Sequence, residues 1–145
     1  MNVYAATGFL CSLYAPDAHS PKAITAMTRL ASPLAYTWLH QLEFRNALRR
    51  RVFRREITPA QRDASLNLLL ADLAAGILEH SHPPLPDLMM EAERLSATHS
   101  ERLGTRSLDI LHVAAALTIG ARTFLSFDTR QAKLAKAAGL KAKVP

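Results

Sequence analysis

TRSLDILHVAAALTIGARTFLSFDTRQAKLAKAAGL, residues 105–140, decides how the rest of the chain is read. Leu108, Ile110, Leu111, Val113, Ala114, Ala115, Ala116 and Leu117 make a helix that is apolar almost all round, which predicts a central, buried position. Gly120 ends it. Thr123 to Phe127 then reads as a buried strand, and Asp128 opens a helix that Gly139 stops. A last strand is expected near Lys141 to Val144. Helix, strand, helix, strand with short connections is the pattern of a parallel sheet covered by helices.

The same alternation extends toward the N-terminus. Val3 to Ala6 is a short apolar run, followed by Thr7-Gly8 and then Phe9, Leu10, Leu13 and Tyr14 at helical spacing, so a strand feeds straight into a helix. Pro21 to Leu30 predicts a second helix, and Pro33 introduces a strand over Leu34 to Trp38. A long helix over Leu39 to Arg54 should turn Leu39, Leu42 and Ala47 inward. Thr58-Pro59-Ala60-Gln61 is the sharpest local signal: Thr58 caps, Pro59 suits the first helical position and Gln61 reaches back. The helix it starts carries Leu66, Leu69, Leu70, Leu73 and Ile77. A short strand broken by Pro83-Pro84 is expected within Ile77 to Leu85, then a helix from Pro86 to before Gly104. The result is one α/β domain, residues 1–145, with a central parallel sheet of about four to five strands flanked by helices on both faces.

The chain has 145 residues, 49% hydrophobic and 21% charged, which excludes disordered and fibrous classes. Cys11 is the single cysteine, so no internal disulfide is available. No Lys or Arg precedes Lys22, so the apolar beginning lacks the basic region of a signal peptide. No apolar run reaches bilayer length, and the expectation is a soluble cytoplasmic protein with no membrane association. A net charge of +6 favours polyanionic partners. Arg45, Arg49, Arg50, Arg51, Arg54 and Arg55 concentrate that charge in one segment, which also suits a solvated helix face.

Three carboxylates stand apart. Asp128 sits at a strand end, where ligands bind in open parallel sheets, and is equally an ideal N-cap. Asp109 lies in the first turn of the apolar helix, favoured there by the helix dipole or held at the mouth of a cavity. Glu43 falls on the side of its helix read as inward, which requires a partner: a salt bridge to Arg50 or Arg106, or a metal. Carboxylates gathered from separate elements repel one another unless a cation sits among them, and hard oxygen donors suit Mg²⁺ or Mn²⁺. His80-Ser81-His82 has metal-like spacing but sits in an expected loop. Trp38 and Phe53 are read as core residues, with base stacking as the alternative.

The segments VYAATGFLCSLY (3–14), WLHQLEFRNALRRR (38–51), TRSLDILHVAAAL (105–117) and RTFLSFDTRQAKLAKAAGL (122–140) resemble, in order, those of PIN domains, in particular VapC-type toxins. That family places Asp-Ser/Thr after the first strand, a Glu on a helix, an Asp opening a later helix and an Asp after a later strand. The resemblance implies Glu43, Asp109 and Asp128 as catalytic and metal-holding residues, and Thr7 as the small hydroxyl residue. Thr7, Arg45, Arg49 and Arg106 are expected to bind substrate. It implies a Mg²⁺-dependent (or Mn²⁺-dependent) endoribonuclease, the toxin of a type II toxin–antitoxin pair, with RNA, an antitoxin protein and a second copy of itself as partners. The sequence departs at one place: the family's first Asp falls on Ala6. A metal site lacking one ligand binds weakly, so this chain is expected to have little or no activity. An inactivating substitution in a working enzyme and a naturally non-catalytic RNA-binding or scaffolding protein both fit, and the intact remainder of the site favours the first.

Overall fold

A computed structural model describes residues 3–145; Met1 and Asn2 lie outside it. Five three-residue strands, β1 (Val3–Ala5), β2 (Leu34–Tyr36), β3 (Leu78–His80), β4 (Thr123–Leu125) and β5 (Lys141–Lys143), form one sheet in the order β3-β2-β1-β4-β5. Every pairing is parallel, with Val3 opposite both Leu34 and Thr123. Seven helices connect them: α1 (Thr7–Tyr14), α2 (Ser20–Thr28), α3 (Trp38–Phe53), α4 (Pro59–Ala74), α5 (Leu85–Leu103), α6 (Ser107–Thr118) and α7 (Thr129–Ala137).

The three central strands, β2, β1 and β4, are buried on both faces, as the middle of a parallel sheet must be, while the edge strands β3 and β5 are largely exposed. Along β1, Tyr4 and the following Ala6 face one apolar cluster, built with Leu88, Leu95, Val113, Phe124 and Leu134. Val3 and Ala5 face the other, with Phe9, Leu10, Phe44, Leu48 and Leu69. Helices α5 to α7 thus cover one face and α1 to α4 the other. The apolar helix of the opening stretch is α6, with Val113, Ala114 and Ala116 wholly buried.

Local chemistry sets the boundaries. Thr58 Oγ1 accepts the Gln61 amide at 3.1 Å while Gln61 Oε1 accepts the Thr58 amide at 2.8 Å, the expected capping box at the start of α4. Gly104 ends α5 at φ 63°, a conformation other residues adopt with strain. Thr58→Ala is expected to lower stability by about 1 kcal/mol, read as a lower urea midpoint at unchanged slope.

The expectations fail mainly on α3. Trp38 belongs to the helix rather than to β2, because Thr37 caps it. The inward side carries Leu39, His40, Phe44 and Leu48, whereas Leu42 is exposed. Trp38 is 48% and Phe53 87% exposed, so neither is a core residue. His80 is the last residue of β3 rather than part of a loop.

Candidate active site

The chain runs outward from β1 through β2 to β3, then returns to place β4 on the other side of β1. Between β1 and β4 the connections leave in opposite directions, and their carboxyl ends frame the crevice where such sheets bind ligands. A cleft of about 500 Å³ opens there, lined among others by Ala6, Thr7, Glu43, Asp109, His112 and Asp128. A larger cavity of about 620 Å³, between α2 and the C-terminal residues, has no acidic side chain in its lining.

Ala6 is the N-cap of α1, with extended backbone (φ −65°, ψ 156°) and no side-chain cap bond. Its amide donates to Leu125 O at 2.9 Å, which joins the ends of β1 and β4. Thr7, the next residue, donates its hydroxyl to Glu43 Oε1 at 2.9 Å. The same carboxylate oxygen accepts His112 Nε2. Burial pushes Glu43 upward, yet the hydrogen bond and charge of His112, with help from Thr7, hold its carboxyl below the usual range. His112 Nδ1 stands 2.7 Å from the Tyr4 hydroxyl, which completes a chain from the floor of the sheet to the cleft. The salt bridge expected between Glu43 and Arg50 or Arg106 is not formed; His112 and Thr7 take that carboxylate.

Asp109 and Asp128 are joined by a different group. Arg106 Nε lies 3.3 Å from Asp109 Oδ2, and its terminal nitrogen 3.4 Å from Asp128 Oδ2. The two oxygens of Asp128 divide their work: Oδ1 caps α7 by accepting Arg130 and Gln131 amides at 2.9 and 3.4 Å, and Oδ2 turns to Arg106. Gln131 also donates to Asp109 Oδ1 at 3.4 Å and accepts the Ser126 hydroxyl at 2.7 Å. The Asp109 side chain is only 13% exposed.

These donors do not fit the divalent cation expected of them. Among the described residues no group of three or more His, Cys, Asp or Glu is placed to hold a metal ion, the His80–His82 pair included. The physical reason is visible: Ala6 supplies no oxygen, His112 engages Glu43, and Arg106 serves as the cation between the two aspartates. Arg45 and Arg49 do not line the cleft. Arg49 is exposed, and Arg45 Nε is buried with no hydrogen-bond partner among the described residues.

Two histidines carry more of the site than their sequence context suggested. His112 follows Asp109 by three residues, on a face of α6 that is otherwise mostly core. His40 stands three residues after Thr37, where a capping box usually has Glu or Gln, and its Nδ1 accepts the Thr37 amide at 3.0 Å. His112→Ala is expected to lower stability by about 2–3 kcal/mol, since it opens a cavity and strands the Tyr4 hydroxyl. Tyr4→Phe should cost less, and the double variant less than the sum of the two in urea unfolding.

No protein-family model and no curated protein matches the chain. Solved structures do. VapC20 of Mycobacterium tuberculosis, a sarcin-ricin loop cleaving toxin, superposes with a TM-score of 0.70 at 18% identity, covering 97% of this chain and 98% of that one. VapBC2 from Rickettsia felis, solved with a DNA fragment from its promoter, gives 0.66 at 15%, covering 99% and 98%. FitAcB from Neisseria gonorrhoeae gives 0.64 at 14%, covering 99% and 97%. The chain has the VapC-like PIN fold. Within this PIN fold, the crevice between β1 and β4 brings Ala6, Glu43, Asp109 and Asp128 around one cleft. No helix among the described residues is long and apolar enough to cross a membrane.

Proposed function

We propose that this chain is the toxin of a type II toxin–antitoxin pair, a single-domain endoribonuclease disabled in its present sequence by Ala6, acting in the cytoplasm. The observation that carries this reading is the position of Ala6: the end of the central strand opens into the cleft that holds Glu43, Asp109 and Asp128. RNA as substrate class is supported by the basic charge of the chain and by the activity that VapC20 is named for. The dependence on Mg²⁺ or Mn²⁺ belongs to the form with Asp at position 6, since the residues present do not make a metal group.

In the present chain the roles are binding and positioning. Thr7 and His112 orient Glu43, Gln131 holds Asp109, and Arg106 is an exposed cation against the two aspartates, 67% accessible. An antitoxin chain and a second copy of this chain are the partners proposed for the apolar surface. Leu68, Leu70 and Ile77, exposed along and just after α4, offer one contact.

A second reading, a non-catalytic RNA-binding or scaffolding role, is favoured by Arg106, which pairs with both aspartates and offsets one of their two charges without metal. Ala6→Asp separates the two. With Mg²⁺ or Mn²⁺ and total cellular RNA, the variant should cleave, the present chain should not, and Ala6→Asp/Asp109→Asn should again be silent. Silence of all three supports the scaffold.

A further inference from the structure

Three aromatic rings rise in a stack along one side of the cleft. Phe9 is fully buried; Phe127 lies on it with ring centres 5.8 Å apart and planes 18° apart. His19 covers Phe127 at 4.3 Å and 13°, and is itself exposed. Both Phe127 and His19 line the cleft, and Phe127 adjoins Asp128 in sequence. The loop that carries His19 is braced. Asp17 accepts the His19 amide and the Ser12 hydroxyl, each at 2.8 Å, and Ser20 Oγ accepts the Asp17 amide at 2.9 Å and donates to Ser12 O at 2.6 Å. These bonds hold the backbone at His19, whose exposed imidazole lies with one flat face on Phe127.

A second cavity, about 260 Å³, shares Cys11 and Asp17 with the cleft and is lined by Arg50, Arg51 and Arg54. Arg51 and Arg54 are partly offset by Glu56, at 3.5 and 3.1 Å. A ring platform beside a groove of guanidiniums matches a ligand that alternates flat bases with phosphates. We propose that His19, backed by Phe127, is a stacking platform for one base of a single-stranded RNA whose phosphates continue toward Arg50, Arg51 and Arg54. This rests on the nuclease reading for the choice of RNA. Stacking on such a face needs no particular base, so the platform strengthens binding without dictating sequence.

The test uses the present chain without divalent metal. Fluorescence anisotropy is measured with a labelled mixed-sequence oligoribonucleotide of about ten nucleotides and with an abasic strand of equal length. The base-bearing strand should bind more tightly. His19→Ala should weaken it roughly tenfold, leave the abasic strand unchanged, and leave the melting temperature within about 2 °C. His19→Trp should restore binding, with quenching of the new indole emission as the base stacks. Equal binding of the two strands, equal losses on both, or no binding of either overturns the platform. Cleavage by Ala6→Asp alongside unchanged His19→Ala binding would sink the platform alone. Base-dependent binding without any cleavage by Ala6→Asp would sink the nuclease reading alone.

Discussion

Ala6→Asp is expected to raise Mg²⁺-dependent RNA cleavage on the order of a hundredfold or more above the present chain, the scale on which metal sites respond to loss of one supporting group. The backbone is ready for it. Position 6 is an uncapped N-cap in extended conformation, and an Asp side chain there accepts a free amide of the first turn of α1, worth about 1 kcal/mol. Against this stands charge. A further carboxylate joins Glu43, Asp109 and Asp128, and Arg106 bridges only the two aspartates. Like charges about 5 Å apart repel by roughly 3 kcal/mol at an effective dielectric constant of 20. In EDTA the variant should therefore melt no higher than the present chain.

Added metal reverses that balance in the variant only. At a hundred times its dissociation constant a ligand stabilises by about 2.7 kcal/mol, which for a domain of this length is a rise of roughly 8 °C. The present chain should show no such rise. A variant whose melting temperature and cleavage both ignore Mg²⁺ and Mn²⁺ would remove the basis for reading Ala6 as the missing ligand.

The second large effect is acid sensitivity, centred on His40. Its ring is wholly buried; Nε2 donates to Ala5 O at 2.7 Å, and Nδ1 accepts the Thr37 amide at 3.0 Å. A second proton would have to sit on Nδ1, against that amide hydrogen. Burial and the neighbouring His112 push the group down to about 3, with the Ala5 carbonyl opposing. In the unfolded chain it titrates near an ordinary value of about 6.5. Between those values the unfolded state takes up a proton that the folded state refuses, so the stability is complete above about pH 6.5 and lost as pH falls toward 3. The slope is about 1.4 kcal/mol per pH unit, or roughly 3 kcal/mol between pH 7 and 4. Glu43, held below the usual range, adds to the loss at the acid end, since its contribution is present above its unfolded value and disappears below its folded one. Urea unfolding at pH 7, 6, 5 and 4 measures this. His40→Gln, whose amide can both donate and accept, should flatten the upper part of the curve even if it is less stable at pH 7. A present chain equally stable at pH 7 and 4.5 would contradict the assignment.

Most of the architecture was legible because its signals are local. Gly104, Gly139 and the Thr58–Gln61 pair mark helix ends by backbone chemistry that depends on nothing distant. β1, β2, β4 and α6 are apolar runs that have only one place to go. The misreadings share a cause as well. On α3 the polar and apolar residues do not separate cleanly around the helix, so Leu42 and Phe44 could each be taken as inward, and only packing against Leu10 and Leu69 decides for Phe44. The candidate site was legible as a set of carboxylates at strand and helix ends. Its wiring was not. That His112 engages Glu43, or that Arg106 spans Asp109 and Asp128, depends on contacts across 69 and 22 residues of sequence.

β1 is three residues long, yet it joins the two halves of the sheet, pairing with β2 on one side and β4 on the other, and sends side chains into both cores. Melting of either half should carry the other with it, because each would lose the wall it leans on. The molecule should therefore open as one cooperative unit, with the amides of Tyr4 and Ala5 exchanging only at the rate of global unfolding. Position 6 hangs from the end of that wall, its amide bonded to Leu125 O, so the backbone of whatever residue occupies it is anchored to the sheet.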